Sequence, residues 1–223
     1  MKTYDQFIRE GVYDPNIFKA VFMAGGPGSG KSFVAGKTTG GLGLKMINSD
    51  TPFERFLKKE GLSLKMPEAE TEKRDVDRAR AKKVTASKKF HAVKGRLGIL
   101  IDGTGHVYDK VVKQAGMLQQ IGYETSMVFV NTSLEVALAR NEQRARSVMP
   151  KLVKKSWQDV QNNMGKFQNF FGPKSFFIVD NNGVEQDMLE ISTKLIRRAI
   201  SKPVNNKIAT AWIANEMKKK DRS

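Results

Sequence analysis

The sequence predicts an α/β protein in which about five parallel strands form one sheet with helices on both faces. Short apolar runs alternate with helix-favouring segments along most of the chain, and parallel neighbours require such crossover helices. The runs are apolar at successive positions, which is typical of strands buried on both faces. A glycine-rich turn follows the first run, and an aspartate follows both the second and the third. Because ligands of parallel sheets bind at the carboxyl ends of the strands, these residues predict a site there.

Length and composition predict one domain with appendages. The 223 residues, 39% of them hydrophobic, suffice for one well-filled core. We expect residues 1–18 to form an N-terminal arm packed on the core, residues 19–183 to form the main domain, and residues 184–223 to add C-terminal helices.

The chain is strongly basic. Its 39 Lys and Arg against 23 Asp and Glu leave a formal charge of +16, which favours a polyanionic or phosphorylated partner over a merely soluble basic surface. The absence of cysteine excludes disulfides and thiolate zinc sites. The sequence has no long uncharged apolar run and no charged-then-apolar leader, so we expect a cytoplasmic protein without a membrane partner.

Hydrophobic periodicity and breaker residues predict the order of the elements. Strands are expected at 19–24, 44–48, 97–102, 125–130 and 175–180. One helix is expected to begin at residue 31, and another is expected to begin at a capping box formed by Thr132 and Glu135. Further helices are expected at 51–61, 68–94, 107–122, 157–171, 186–201 and 205–220. The glycine-rich segment Thr38–Gly43 is expected to end the helix that opens at Lys31.

The glycine-rich turn matches the phosphate-loop pattern G-x-x-x-x-G-K-[ST] from Gly25 to Ser32. In such a loop, backbone N–H groups curl around phosphate oxygens and the following helix presents its positive end to them. Lys31 would reach the β and γ phosphates of ATP, and Ser32 would ligate Mg²⁺. A chance turn is the alternative, but the flanking strand and helix supply the context that the motif needs. The predicted nucleotide-binding residues are Gly25, Gly26, Pro27, Gly28, Ser29, Gly30, Lys31, Ser32 and Phe33.

Two aspartates at predicted strand ends are candidates for metal and acceptor chemistry. Asp102 follows a buried run and has the setting of a Walker B acid, which would hold Mg²⁺ through a water. Asp50 would orient or deprotonate an acceptor hydroxyl from the other side of the γ-phosphate. Asp also caps helices well, so an N-cap for the helix at Pro52 is the alternative role of Asp50.

Three arginines lie where a lid over the phosphates, at about residues 140–150, would be expected to follow a helix. They are Arg140, Arg144 and Arg146, predicted to stabilise the transferred phosphate. On one helix Arg140 and Arg144 share a face and Arg146 does not, so all three point inward only if the helix breaks before Pro150. A solvated basic face is the alternative.

A basic insert at about residues 65–96 is the sharpest shift in composition. From residue 78 to residue 96 it has eight Lys or Arg and no acid, which predicts contacts with nucleic acid. A solvated helix face is the alternative, because only Phe90 is available to stack on a base. The residues predicted to hold a polyanion are Arg78, Arg80, Lys82, Lys83, Lys88 and Lys89, followed by Lys94 and Arg96.

Residues 19 to about 160 resemble the small P-loop kinases that include the polynucleotide 5′-hydroxyl kinases and the zeta-toxin-like phosphotransferases. The character of the sequence suggests a phage member of this group. The resemblance rests on Gly25 to Ser32, Ile47 to Asp50, Ile101 to Thr104, Leu134 to Arg146, and Val148 to Pro150. It implies that Asp50 acts on the acceptor hydroxyl and that Arg144, with Arg140 or Arg146, steadies the transferred phosphate. Thr51 stands where polynucleotide kinases have a second Asp, and the acid-rich acceptor site typical of zeta toxins is not evident.

The leading functional prediction is a kinase that moves the γ-phosphate of ATP to a hydroxyl, foremost a polynucleotide 5′-hydroxyl. A zeta-toxin-like kinase of a small metabolite or nucleotide sugar is the first alternative. A nucleic-acid-binding ATPase or packaging accessory is the second, and a relic nucleotide site is the third. If the chain is encoded by a phage, the expected compartment is the host cytoplasm.

Overall fold

The computed structural model describes residues 11–65, 67–144, 146–183 and 185–220, and all side chains in these ranges except those of 38–40, 185 and 186. Most of the predicted arm, including Tyr4, Phe7 and Ile8, lies outside the described residues. The division of the chain at residues 18 and 183 therefore stays a prediction.

Five parallel strands form the sheet, as predicted. They are β1 (Lys19–Ala24), β2 (Lys45–Ile47), β3 (Ile99–Asp102), β4 (Glu124–Asn131) and β5 (Phe176–Asp180). Their order across the sheet is β2-β3-β1-β4-β5, with β1 hydrogen-bonded to β3 on one side and β4 on the other. Met23 is in register with Asp102, so the end of β1 and the end of β3 lie side by side.

Helices connect and cover the strands. They are α1 (Lys31–Leu42), α2 (Asp50–Lys59), α3 (Thr71–Lys94), α4 (Tyr108–Gln120), α5 (Leu134–Glu142), α6 (Pro150–Phe171), α7 (Glu185–Ile200) and α8 (Lys207–Lys220). A 3₁₀ turn at Glu68–Glu70 precedes α3. Within the described ranges, no helix is both long and apolar enough to cross a bilayer.

The two faces of the sheet bury two separate hydrophobic clusters. Successive residues of β1 alternate between them: Ala20 and Phe22 pack with residues of α4, α6 and α8, whereas Val21 and Met23 pack with residues of α1 and α7. This alternation explains why the strand reads as a continuous apolar run. A smaller cluster joins α2 to α3 through Phe53, Phe56, Leu57 and Ala81.

Three local features differ from the prediction in detail or outright. The segment Thr38–Gly43 does end the first helix, but only at its last residue, because α1 continues to Leu42 and its C-cap is Gly43, whose φ is 74°. Packing of Val34 and Ala35 in the core offsets the cost of the three glycines in α1, about 1 kcal/mol each. Ser133, not Thr132, caps α5 by accepting a hydrogen bond from the Val136 amide at 3.3 Å.

The third difference concerns the start of α6. The helix begins at Pro150, seven residues before the predicted start at Trp157. A proline in the first turn of a helix is favourable because its missing N–H needs no partner there. The segment between α5 and α6 is therefore short, and it contains both Arg144 and Arg146.

Candidate active site

The glycine-rich turn forms a tight loop between β1 and α1. Gly28 and Gly30 have φ of 82° and 83°, the left-handed region that glycine adopts without strain. A Cβ at Gly28 would lie 2.2 Å from the Ala137 carbonyl oxygen, and one at Gly30 would lie 2.5 Å from Asn181 Nδ2. The same Asn181 amide donates a hydrogen bond to the Ser29 carbonyl at 2.7 Å. The loop is thus held by its neighbours in a shape that requires glycine.

Lys31 is the first residue of α1 and is buried. Burial lowers the pKa of its ammonium group, Asp102 opposes this effect, and the positive charge of Arg144 reinforces it. Asp50 and Arg146 also act on this ammonium, so the structure brings together these five sequence-predicted residues. A buried ammonium at a helix N-terminus is a favourable place for a phosphate anion.

Asp102 lies beside Ser32 at the end of β3. The Ser32 hydroxyl donates to Asp102 Oδ2 at 3.1 Å, and the Asn48 side-chain amide donates to the same oxygen. The other carboxylate oxygen, Oδ1, is buried without a hydrogen-bond partner in the described structure. The residues described include no cluster of three His, Cys, Asp or Glu side chains able to hold a metal by themselves. Ser32 and Asp102 would therefore share a Mg²⁺ ion with phosphate and water oxygens, which suits this ion.

Asp50 is the first residue of α2 and is held by two arginines. Arg78 of α3 contacts Asp50 Oδ1 at 2.7 Å, and Arg146 contacts Asp50 Oδ2 at 3.1 Å. Burial alone would raise the pKa of this carboxyl, but Arg146 and Arg78 outweigh burial and leave the pKa below its ordinary value. Ser49 occupies the N-cap position of α2, and the Asp50 carboxylate faces the arginines. The alternative that Asp50 is the N-cap therefore has no support in the geometry.

The three lid arginines have different surroundings. Arg140 donates to the Asn181 carbonyl at 2.9 Å, so it holds the loop after β5. Arg144 is exposed beyond the end of α5, near enough to Lys31 to lower its pKa. Arg146 bridges two acids, because its Nε also lies 3.0 Å from Glu54 Oε1. Both Arg144 and Arg146 follow the end of α5, which is the break that an inward Arg146 requires.

A cavity of about 580 Å³ opens at the ends of β2 and β3, between α3 and α4. Asp102 and Ser49 line its inner end, next to the residues described above. Its walls carry several basic side chains, namely Lys82, Lys89, His106, Lys110 and Lys113. Asn163 of α6 fixes the loop on one side of the cavity by donating to the carbonyls of Gly105 and His106 at 3.1 and 3.0 Å.

The basic residues of α3 divide into groups with different surroundings. Arg78 contacts Asp50, and Arg80 lies over the Phe56 ring at 4.3 Å. Lys82 and Lys89 line the cavity, with Lys82 exposed and Lys89 half-buried. Lys83 and Lys88 are exposed and do not line it. The exposed Phe90 does not line the cavity.

Sequence reasoning missed several residues of this region. Asn48 joins the two aspartates, because its side chain donates to Asp102 and accepts from the Asp50 amide. Glu54, Lys110 and Lys113 also belong to the region. The spacing of Glu54 four residues after Asp50 on a predicted helix was the available signal for a shared face. Nothing in the sequence indicated that α4 would stand opposite α3.

The strand order and the loop carrying Lys31 and Ser32 beside Asp102 define this chain as a P-loop kinase. Comparison with protein families identifies the branch. The family model described as Zeta toxin matches residues 15–188, and the chain belongs to that family.

Solved structures share the fold at low sequence identity. A putative kinase from Chloroflexus aurantiacus J-10-fl is 17% identical with a TM-score of 0.57, over 82% of this chain and 96% of that one. The AvrRxo1-ORF1:-ORF2 structure with ATP is 12% identical with a TM-score of 0.57, over 80% of this chain and 62% of that one. No curated protein matches the sequence.

Proposed function

We propose that this protein transfers the γ-phosphate of ATP to a hydroxyl group of an acceptor bound beside Asp50. The observation that carries the proposal is the convergence of Lys31, Ser32, Asp102 and Asp50 at the carboxyl ends of three neighbouring strands. The similar AvrRxo1 structure contains ATP, which supports ATP as the donor.

On the donor side, the loop amides and Lys31 bind the phosphates and stabilise the charge that develops on the transferred group. Ser32 and the free oxygen of Asp102 would hold Mg²⁺, which neutralises phosphate oxygens when it is bound. Arg144 lies close enough to Lys31 to add a second cation to the transferred phosphate.

On the acceptor side, Asp50 orients the attacking hydroxyl. The pKa of its carboxyl is held low, so the group stays ionised and accepts a hydrogen bond. The bond from the γ-phosphorus to the bridging oxygen of ADP breaks as the bond to the acceptor oxygen forms, and the hydroxyl proton is released to solvent. Arg146 fixes Asp50 and thus links the segment between α5 and α6 to the acceptor.

Two acceptor classes fit this arrangement. The polynucleotide 5′-hydroxyl is favoured by the net charge of +16 and by the position of Lys82 and Lys89 beside the site. A small metabolite is favoured by the cavity of about 580 Å³, which has the size of a small-molecule site.

Acceptor-dependent transfer from labelled ATP with Mg²⁺ tests the kinase. Lys31→Ala should lower transfer by several orders of magnitude and leave the fold intact, because it removes a cation from the transition state. Lys37→Ala, an exposed lysine further along α1, is the matched control and should keep full activity. Equal turnover of the native protein and Lys31→Ala would disprove the proposal.

A salt series tests the polynucleotide acceptor. If about four lysines or arginines meet phosphates, log K for a single strand falls with log salt at a slope of about −3. Lys82→Gln with Lys89→Gln should reduce that slope by about 1.4, whereas Lys83→Gln with Lys88→Gln should leave it unchanged. A flat series for the native protein would exclude polynucleotide binding by α3.

A further inference from the structure

One buried side chain ties together the two ends of the segment between α5 and α6, here called the lid segment (residues 143–149). Asn141 lies in the last turn of α5 and is 3% exposed. Its Nδ2 donates to the Val148 carbonyl at 2.7 Å, and its Oδ1 accepts from the Val148 amide at 3.0 Å. A side-chain amide presents a donor and an acceptor side by side without a net charge, so it can engage both backbone groups of Val148.

The helices on either side of the lid segment both pack against the phosphate loop. A Cβ at Gly28 would lie 2.2 Å from the Ala137 carbonyl oxygen of α5, and one at Gly26 would lie 3.5 Å from Trp157 Cα of α6. Asn141 lies one helical turn after Ala137 on the same face of α5, and both residues are buried. The lid segment therefore leaves and returns to a base whose position relative to the phosphate loop is fixed.

The two hydrogen bonds of Asn141 enclose the arginines that the proposed function uses. The Arg144 amide donates to the Asn141 carbonyl at 3.4 Å, and Arg146 lies two residues before Val148. The ion pair of Arg146 with Asp50 is partly exposed, and such pairs hold a segment weakly. Ordering a loop costs conformational entropy, which buried hydrogen bonds at its base offset. The Asn141 amide is therefore the contact that keeps the lid segment closed.

We propose that Asn141 is a positioning residue, and that its amide holds Arg144 and Arg146 beside the phosphate loop before the nucleotide binds. This inference rests on the proposed function, in which these arginines serve the transferred phosphate and Asp50. Cations that are already in place need no reorganisation as charge develops, so a preformed lid segment lowers the barrier to transfer. Asn141 acts through the backbone of the lid segment and takes no part in the chemistry itself.

The first experiment measures the contact in the native protein, without substrate. The Val148 amide should exchange its hydrogen as slowly as the amides inside α5, because it donates to a buried acceptor. The exchange rates are read residue by residue from NMR spectra. Exchange of the Val148 amide at the rate of an exposed loop amide would overturn the proposal.

The second experiment uses trypsin, which cleaves after Arg144 and Arg146 when the lid segment opens. Asn141→Ala should be cleaved there about tenfold faster or more, because two hydrogen bonds are lost. Asn141→Asp keeps the size and the acceptor but not the donor, and it should also be cleaved faster. Asn16→Ala is the matched control, because it removes another buried amide, which bonds the Leu42 carbonyl at the end of α1. It should be cleaved at these two sites at the native rate, and native rates for both Asn141 variants would contradict the proposal.

The third experiment asks whether Asn141 acts through the arginines. Asn141→Ala should lower kcat for phosphate transfer about tenfold or more, whereas Asn16→Ala should keep the native kcat. Added to Arg144→Ala with Arg146→Ala, Asn141→Ala should lower kcat no further, because the side chains that it positions are gone. A full additional loss in that background would show that Asn141 does not work through these arginines. If the native protein transfers no phosphate, the proposed function fails, whereas hydrogen exchange and cleavage still decide whether Asn141 holds the lid segment.

Discussion

Asp50 is the residue whose role the structure constrains most. Its carboxylate is fixed by Arg78 and Arg146, and it stands in the first turn of α2 without capping it. Asp50→Asn should lower kcat about 100-fold and change the KM for ATP little, because it removes the oriented negative charge at the acceptor. The effect on unfolding should stay below about 1 kcal/mol, since the ion pairs are partly exposed. An intact kcat with a lower Tm would show that Asp50 has a purely structural role.

The low pKa of Asp50 predicts how its contribution to stability depends on pH. A carboxyl whose folded pKa lies below its unfolded value, here near 3.8, stabilises the folded state above that value. The contribution is lost as the pH falls through the lower, folded pKa. The difference in Tm between the native protein and Asp50→Asn should thus be constant from about pH 7 to pH 5 and shrink below about pH 4. A difference that changes between pH 7 and 5 would mean that the pKa is not depressed.

Arg146 is predicted to be irreplaceable by lysine. Its Nε and terminal nitrogens contact Glu54 and Asp50 at once, and a single ammonium cannot reproduce that fork. Arg146→Lys should lose at least about tenfold in kcat/KM for the acceptor, a loss close to that of Arg146→Ala. Arg140→Lys is the comparison, and because Arg140 holds the loop after β5, it should affect Tm more than kcat. If lysine restored the native rate at position 146, the bridging contact would be unimportant.

At the scale of the element, the phosphate loop contains a glycine that cannot be replaced, whereas α1 contains one that alanine should replace favourably. Gly28→Ala would force a Cβ into the Ala137 carbonyl at a positive φ, so it should abolish nucleotide binding and cost about 1–3 kcal/mol of stability. Gly41→Ala meets no atom within 4 Å in the last turn of α1 and should stabilise the protein by about 0.5 kcal/mol. Thermal unfolding of both variants measures this contrast. If both substitutions shifted Tm in the same direction, the backbone conformation assigned to one of the two glycines would be wrong.

Elements whose signals are local could be predicted from sequence. The strand β1 and the loop after it were predicted correctly, because the apolar run and the glycine pattern are contiguous in the chain. The continuation of α1 through Gly40 and Gly41 could not be predicted, because packing of the helix against the sheet and α7, and not helix propensity, keeps that segment helical. The start of α6 at Pro150 was missed because a first-turn proline and a helix-breaking proline look alike in sequence.

The positions of the candidate site residues were likewise predictable only where the signal in the sequence is local. Lys31, Ser32, Asp50 and Asp102 follow strands, and the parallel sheet brings strand ends together. The separate positions of the three lid arginines depend on where α5 ends, which the sequence leaves open. Lys110 and Lys113 face Lys82 and Lys89 across a cavity only because α4 and α3 flank β3, a contact that connects distant parts of the chain.

At the scale of the whole molecule, an aromatic contact that stabilises the fold lies at the amino ends of the strands, whereas the candidate active site lies at their carboxyl ends. The C-terminal helix α8 packs near the amino ends of the strands, where Trp212 meets Phe18 edge-on at 5.5 Å. Trp212→Ala should lower the free energy of unfolding by about 2–3 kcal/mol, because it leaves a gap beside a buried ring. Values of kcat and KM at a temperature where the variant is folded should equal the native values. A changed KM would show that α8 influences the site.

The separation of the phosphate loop from the cavity between α3 and α4 has an evolutionary consequence. The loop comes from β1 and α1, whereas α3 and α4 supply the side walls of the cavity, and Asp102 lies between the loop and the cavity. If the cavity receives the acceptor, single base changes in the codons for its wall residues would alter what is phosphorylated and leave the donor residues unchanged. A lineage with this scaffold would then diversify its acceptors by small steps while every ancestor still bound ATP.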